Sequence, residues 1–278
     1  MKTTINCKGK LIDLSKPQVM GIVNITNDSF YAKSRCQNEG LIEAKVAKHL
    51  KEGAAIIDIG AYSTRPGCAV IPPEFEKEDI EMAMNVINNN FPDAIVSVDT
   101  FRAEVARFAV EELGVDIIND ISGGTIDPDM LQTAADLHVP YIMMHMKGTP
   151  QNMMDYCQYD DMMDEITQFF ATQIEKLKLL GACDIIIDPG FGFSKNLDQN
   201  YELMRNLDKL QIFGLPILVG VSRKSMIYKL MNTTPDDSLN GTTTLNTIAL
   251  SKGAKILRAH DTKPAMEAIK ICEKLGYW

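Results

Sequence analysis

The sequence lacks several features that would assign it to other protein classes. Its 278 residues include six scattered cysteines without a CxxC pair, and a single tryptophan. No stretch reaches the roughly 20 apolar residues of a transmembrane helix, and the first residues lack the apolar core of a signal peptide. We therefore expect reduced thiols in a cytoplasmic protein that is not bound to a membrane.

Positive charge is also scarce. The chain has a formal net charge of −9 and an isoelectric point near 5.0, which argues against binding to nucleic acids or anionic membranes. An anionic ligand would have to be held by a few placed cations.

What the sequence does contain is a regular alternation of short apolar runs and helix-like stretches. Eight runs rich in β-branched residues occur: Val19–Val23, Ala55–Ile59, Ile95–Val98, Asp116–Ile118, Tyr141–Met144, Asp184–Ile187, Ile217–Val221 and Lys255–Arg258. Such nearly continuous runs are typical of strands buried on both faces of a parallel sheet. Eight strand–helix units predict an α/β fold, a (β/α)8 TIM barrel.

The alternative is a doubly wound sheet, which would need fewer strands and a glycine-rich turn after the first. Asn24–Ser29 contains no glycine. Residues Thr3–Leu14 carry a Lys8-Gly9 turn between β-prone runs, which predicts a hairpin across the bottom of the barrel. We expect one domain, with the hairpin in residues 1–16 and the barrel in residues 17–278.

Every predicted strand ends in polar or charged residues, which a barrel would gather around one mouth. Asp99, Asn119 and Asp188 supply acceptors and an amide that suit a flat heterocycle such as a 2-amino-4-oxopyrimidine. Other strand ends suit phosphate oxygens and a metal: Asn24, Thr64, Arg65, Arg258 and His260. Arg223 and Lys224 precede a predicted helix, whose first N–H groups also favour an anion.

Seven motifs, in order along the chain, resemble those of the dihydropteroate synthase family. They are Met20–Phe30, Ile57–Gly67, Ser97–Thr100, Ile118–Gly123, Asp188–Phe193, Ser222–Met226 and Arg258–Asp261. The resemblance implies an enzyme of folate biosynthesis, which joins a pterin alcohol diphosphate to p-aminobenzoate and releases pyrophosphate. It also implies Mg²⁺, inhibition by sulfonamides and a homodimer built on the last helices.

The resemblance assigns roles residue by residue. Asp99, Asn119, Asp188 and Lys224 would hold the pterin, and Arg258 would cover its face. The diphosphate would be held by Asn24, Thr64, Arg65, Arg258 and His260, with Mg²⁺ near Asn24. The p-aminobenzoate site would use Thr64, Phe30, Phe193, Ser222 and Lys224. The residues expected to act in catalysis are Asp99, Asn119, Asp188, Lys224, Asp28 and Arg65.

Three positions depart from the family pattern on the p-aminobenzoate side. Asn27 stands where Pro is expected, Tyr62 where Glu is expected, and Tyr31–Ser34 replaces Ser-Asp-Gly-Gly. Two other functions remain open. One is a methyltetrahydrofolate–corrinoid methyltransferase, which shares the pterin barrel but does not need the phosphate cations. The other is a non-catalytic pterin-binding paralogue.

Overall fold

A computed structural model describes residues 3–25, 32–62 and 71–278, and for residues 32–37 it describes the backbone alone. Eight parallel strands form one sheet in the order β8-β7-β6-β5-β4-β3-β10-β9. The strands are β3 (Gln18–Asn24), β4 (Ile56–Gly60), β5 (Val96–Asp99), β6 (Ile117–Asp120), β7 (Tyr141–Met144), β8 (Ile185–Asp188), β9 (Leu218–Val219) and β10 (Ile256–Ala259). A parallel bridge between Ile187 and Ile217 joins the two ends of the sheet, which confirms the predicted barrel.

Helices follow the strands along the chain. They are α1 (Ala32–Lys51), α2 (Pro73–Asn90), α3 (Ala103–Glu111), α4 (Met130–Leu137), α5 (Met162–Leu179), α6 (Leu197–Arg205), α7 (Ser225–Tyr228), α8 (Leu239–Ser251) and α9 (Thr262–Lys274). None of the helices that the structure describes is long and apolar enough to cross a membrane.

The strands lie where the apolar runs predict them, with ends displaced by a few residues at most. The agreement follows from burial, since β4, β6, β7 and β8 are buried at every position. Such strands must be apolar on both faces. One helix begins earlier than its apolar periodicity indicates: the periodicity begins at Leu41, whereas α1 begins at Ala32. Residues 32–40 are mostly polar, so they give no apolar stripe by which a helix is recognised.

A hairpin covers the amino-terminal end of the barrel, as predicted. β1 (Thr4–Cys7) pairs antiparallel with β2 (Lys10–Asp13), and Lys8 and Gly9 both have positive φ, as a tight hairpin turn requires. The hairpin and the lower strands share an apolar cluster made of Ile5, Cys7, Ile12, Leu14, Met20, Ile56, Ile117, Ile142, Ile186, Leu218 and Ile256. This plug closes the bottom and leaves the opposite end for polar groups.

Candidate active site

The carboxyl ends of the strands carry the charged side chains. Asp99 is the last residue of β5 and Asp188 the last of β8, while Asn119 and Arg258 lie one residue before the ends of β6 and β10. Lys224 is the residue before α7. Parallel strands of a barrel direct these ends to one face, so the structure brings together all five residues predicted to hold the heterocycle.

Arg258 connects two carboxylates at the centre of this face. Its Nε donates to Asp58 Oδ2 at 2.6 Å, and its Nη2 donates to Asp99 Oδ2 at 2.7 Å. The Asn119 amide donates to both oxygens of Asp58, at 3.2 and 3.3 Å. The guanidinium is therefore fixed by strands β4 and β5, and one edge of the Asn119 amide is already occupied.

Gly60 gives the carboxylate of Asp99 its space. A Cβ at this position would lie 3.2 Å from the Asp99 Cβ, tighter than an ordinary contact. A larger residue at the end of β4 would push Asp99 away from Arg258. The glycine in the Ile57–Gly67 motif thus has a packing reason next to the site.

Burial and neighbouring charge determine the ionisation of this group. Burial raises the pKa of Asp99 to about 7, against the opposing effect of Arg258. Burial alone would lower the pKa of Arg258, but the nearby Asp58 and Asp99 carboxylates hold it above its usual range. The arginine therefore stays cationic, and Asp99 takes up or releases a proton more readily than an exposed aspartate near neutral pH.

A second group of charges lies around β8. Asp188 Oδ1 accepts a hydrogen bond from the Gly190 N–H at 2.8 Å. Lys224 Nζ donates to the Phe191 carbonyl at 2.5 Å and lies 4.6 Å from the centre of the Phe193 ring. The lysine thereby joins the turn after β8 to the start of α7, with an aromatic face beside it.

Asp188 and Lys224 also modify each other's ionisation. Burial lowers the pKa of Lys224 to about 8, while Asp188 favours its charged form. Burial raises the pKa of Asp188, opposed first by Lys224 and then by its hydrogen bond from Gly190. Arg258 and Asp99 also act electrostatically on Lys224, so the two groups of charges lie near each other at the same end of the barrel.

Asn24 and His260, both predicted to hold phosphate, lie in different surroundings. Asn24 is exposed at the end of β3 and lines a cavity together with Lys45 and Lys48. Burial, assisted by Arg258, lowers the pKa of His260 to about 4. The imidazole of His260 is therefore neutral at pH 7, and it can give phosphate a hydrogen bond but no charge.

Two predicted residues make structural contacts in the free protein. The Ser222 hydroxyl accepts a hydrogen bond from the His260 backbone N–H at 3.1 Å. Arg223 donates to both carboxylate oxygens of Asp261, at 2.8 and 3.1 Å, and to the carbonyls of Pro235 and Asp236. The Arg223 guanidinium is thus occupied by Asp261 and the loop before α8, and the expectation that an anion binds at this helix start stays a prediction.

Four predicted site residues lie outside the described ranges. They are Asp28, Phe30, Thr64 and Arg65. Asn27, one of the departures from the family pattern, also lies outside them. Their assigned roles stay predictions.

Tyr62, at the edge of one undescribed segment, is held by several contacts. Its hydroxyl accepts from Gln151 Nε2 at 2.6 Å, and its ring meets the edge of Phe101 with centroids 5.0 Å apart. The Arg102 guanidinium lies 5.2 Å from the same ring and pairs with buried Glu76 at 2.5 Å. The tyrosine thus belongs to a packed cluster at the margin of the mouth.

Sequence reasoning did not assign a role to Asp58 or Lys195. Asp58 is fully buried and accepts hydrogen bonds from Arg258 and Asn119. The signal available in the sequence was a carboxylate inside the apolar run Ala55–Ile59. Lys195 is also buried, but a lysine in a polar loop gives no sign of burial in one sequence. Only the folded chain shows that it lies behind the site.

Comparisons with known proteins agree with this arrangement. The family model described as "Pterin binding enzyme" matches residues 20–260. The dihydropteroate synthase of Escherichia coli K12 is 40% identical over 272 residues, covering 96% of this chain and 94% of that protein.

Two solved structures resemble the fold closely. A Yersinia pestis dihydropteroate synthase in complex with a sulfonamide drug has a TM-score of 0.91 at 39% identity, covering 98% of both chains. A Xanthomonas albilineans dihydropteroate synthase in complex with 7,8-dihydropteroate has a TM-score of 0.86 at 30% identity, covering 99% of this chain and 98% of that one.

Proposed function

The chain belongs to the dihydropteroate synthase family of pterin-binding enzymes, and from this premise we propose how its own residues carry out the reaction. The family condenses 6-hydroxymethyl-7,8-dihydropterin diphosphate with p-aminobenzoate, giving 7,8-dihydropteroate and pyrophosphate in folate biosynthesis. The observation that supports the proposal is the pair of linked charge groups at the barrel mouth, Asp58–Arg258–Asp99 and Asp188–Lys224.

The pterin would lie flat between these two groups. Lys224 and the Gly190 N–H favour the carboxylate form of Asp188 against the effect of its burial, and that form can accept from the pterin amino group and the adjacent ring N–H. Asn119 has its amide nitrogen on Asp58, so its carbonyl oxygen remains for a ring donor. Arg258 is held flat by Asp58 and Asp99 and can stack on the ring.

The diphosphate would extend toward Asn24 and His260, with Arg65 and Thr64 from the second loop. Mg²⁺ usually keeps several waters and binds through one or two protein oxygens together with substrate phosphates, and Asn24 is an exposed amide at the end of β3. Asn24 would supply the protein oxygen, and bound Mg²⁺ would supply charge for the departing pyrophosphate.

The C–N bond would form by an SN1-like route. The exocyclic pterin methylene gains positive charge as its bond to the diphosphate oxygen breaks, and buried carboxylates at Asp99 and Asp188 favour that charge. Arg65, Arg258 and the neutral His260 would stabilise the leaving oxygens. The arylamine is already nucleophilic without a general base, and it loses a proton after attack.

The p-aminobenzoate side would be formed by Phe193, Ser222 and Lys224, together with Thr64 and Phe30. The Phe193 ring beside Lys224 gives an apolar face next to a cation, which suits an aryl carboxylate. Sulfonamides, one of which occupies the Yersinia pestis relative, share the aryl amine and would bind here as inhibitors.

Apolar residues of the last helices support a homodimer. Four apolar residues in or beside these helices are exposed, namely Leu230, Met231, Ile248 and Ile271, whereas Ile227, Leu250 and Ile269 belong to the core. A patch of exposed apolar side chains favours self-association. The free thiols of Cys7, Cys157 and Cys272 agree with the reducing cytoplasm that we propose as its location.

The two other functions are less well supported. A corrinoid methyltransferase would not need cations for a diphosphate, and the curated relatives cited above are synthases. A non-catalytic paralogue would be expected to lose site residues, whereas Asp99, Asn119, Asp188, Lys224 and Arg258 are all present. Arg258 donates to Asp99, and Lys224 is within electrostatic reach of Asp188, Arg258 and Asp99.

The test is an assay for 7,8-dihydropteroate with purified protein, the pterin diphosphate, p-aminobenzoate and Mg²⁺. We expect one pyrophosphate per product, and a loss of roughly tenfold or more in kcat/KM for Arg258→Met because charge-assisted hydrogen bonds are removed. Arg107→Met, on the exposed surface of α3, is the matched control and should retain the wild-type rate. An Arg258→Met enzyme with unchanged kcat/KM would refute the proposed site.

A further inference from the structure

A buried lysine lies behind the pterin side of the mouth. Lys195 follows the turn after β8 and is 2% exposed. Its ammonium reaches three acceptors, the Nδ1 atom of His145 and the carbonyls of Gly190 and Phe193, each at 3.1 Å. Three acceptors satisfy the three donors of an ammonium group, so the slot is built for a lysine.

His145 forms the other half of this contact. It follows β7, is 3% exposed, and packs edge-to-face on Phe169 with centroids 5.0 Å apart. Burial, and then the charge of Lys195, lowers the pKa of His145 well below its usual value. The ring is therefore neutral and presents a lone pair to the lysine.

The lysine is linked to Asp188 through a single residue. The Gly190 N–H donates to Asp188 Oδ1 at 2.8 Å, and the Gly190 carbonyl accepts from Lys195. Gly190 has a φ of +75°, and a Cβ there would lie 2.1 Å from the His145 carbonyl oxygen. The turn is thus pressed against the end of β7 and held from behind by the ammonium.

Asp188 and Lys195 also interact electrostatically. Asp188 is faced by Lys224 from α7, Arg258 from β10 and Lys195 from its own loop. Lys195 is faced in turn by Asp188, Lys224, Cys157 and Lys147, besides neutral His145. Removing the lysine charge would leave Asp188 with two cations instead of three, and would favour its protonated form.

We propose that Lys195, seated on His145, is a positioning residue of the pterin site, which fixes the Asp188–Phe193 turn and keeps Asp188 anionic. The inference rests on the proposed role of Asp188 in pterin binding. It adds a residue that would touch no substrate yet control the edge that recognises the heterocycle.

The charge of Lys195 distinguishes the proposal from a purely structural role. If Lys195 only stabilised the fold, its replacement would lower pterin affinity equally at every pH. A residue that keeps Asp188 ionised should matter most in acid, where that carboxyl approaches protonation, and least in alkali, where it is charged in any case. Lys195 itself is protonated on the acid side, since burial lowers its pKa only to about 7.

The experiment is calorimetric titration with 6-hydroxymethyl-7,8-dihydropterin between about pH 5.5 and about pH 8, comparing wild type with Lys195→Met. In Lys195→Met, the decrease of pterin affinity toward low pH (its acid limb) should begin at a higher pH than in wild type. The affinity lost by the variant should therefore be larger at the acid end than at the alkaline end, about tenfold for each unit by which the pKa of Asp188 rises. Lys147→Met is the matched control. Lys147 carries a nearby charge but pairs with Glu165 and Gln158, so its acid limb should stay in place.

Variants of His145 test the same contact should Lys195→Met fail to fold. His145→Asn keeps an acceptor at the δ position and should retain the wild-type limb, whereas His145→Leu should displace it. An equal loss at all pH values, or none, would overturn the inference. Asp188→Asn separates the two proposals: wild-type affinity in that variant would refute the pterin role of Asp188, while lost affinity with an unmoved Lys195→Met limb would refute only the role of Lys195.

Discussion

The two ends of the barrel have the same backbone architecture and opposite chemistry. At the amino-terminal end, the hairpin and the first residues of the strands form an apolar plug that includes Ile56, Ile142 and Ile256. At the carboxyl-terminal end, the same strands place Asp99, Asn119 and Arg258 in one hydrogen-bonded group. In the function proposed above, one set of strands stabilises the fold at one end and binds ligand at the other.

The sharpest way to separate the ends is to damage the plug. Ile142 is fully buried, so Ile142→Ala should lower the free energy of unfolding by about 2–5 kcal/mol through lost burial and a cavity. The KM for pterin diphosphate should stay near wild type. Urea denaturation and steady-state kinetics measure both quantities, and Leu11→Ala, at a site 69% exposed, is the control. A large rise in KM would contradict the separation.

The mouth can be examined through its pH dependence. Since burial lowers the pKa of Lys224 to about 8, this group is a cation below that pH and neutral above it. We expect kcat/KM to fall above about pH 8, approaching tenfold per pH unit. This alkaline decrease should be absent from the residual activity of Lys224→Met. A decrease with the same midpoint in Lys224→Met would show that another group causes it.

His260 should have a smaller and more selective effect. Its ring is neutral at pH 7 because burial and Arg258 lower its pKa to about 4, so it offers one neutral hydrogen bond, about 0.5–1.5 kcal/mol. His260→Ala should weaken pyrophosphate by that amount and leave a pterin without phosphates unaffected. Titration calorimetry with each ligand measures this, and equal losses would argue against a phosphate role.

The smallest expected effect concerns the loop next to β3. Asn27 stands where the family has Pro, so Asn27→Pro should tighten p-aminobenzoate binding by about 0.4–1 kcal/mol by restricting the unbound chain. Binding of p-aminobenzoate should itself be measurable only with pyrophosphate and Mg²⁺ present, because they bring charge to Asn24 and Arg65. Equal affinity with and without pyrophosphate would show a preformed pocket.

The fold could be predicted because its determinants are local. All eight strands lie in short, mostly apolar runs, and the hairpin has its Lys8-Gly9 turn. The boundary of α1 could not be predicted, since residues 32–40 lack apolar periodicity. The single-domain organisation stays a prediction.

Sequence reasoning named candidate site residues but not the contacts between them. Polar strand ends made Asp99, Asn119 and Asp188 candidates, because a barrel places such ends at one mouth. The partners of these residues depend on the three-dimensional packing of distant segments. Asp58 meets Arg258 across 200 positions of sequence, and Lys195 meets His145 across 50; no local pattern encodes either contact.

One measurement tests most directly whether the polar end is built for the pterin and not for stability. Asp188→Asn keeps the size of the side chain but replaces an acceptor oxygen with a donor, so the two parallel hydrogen bonds to the heterocycle cannot both form. Calorimetry with 6-hydroxymethyl-7,8-dihydropterin and urea denaturation would be done on the same sample. We predict an affinity lower by about 10- to 100-fold with no decrease in the free energy of unfolding. Unchanged affinity, or a loss explained by unfolding, would contradict the assignment of the mouth to the pterin.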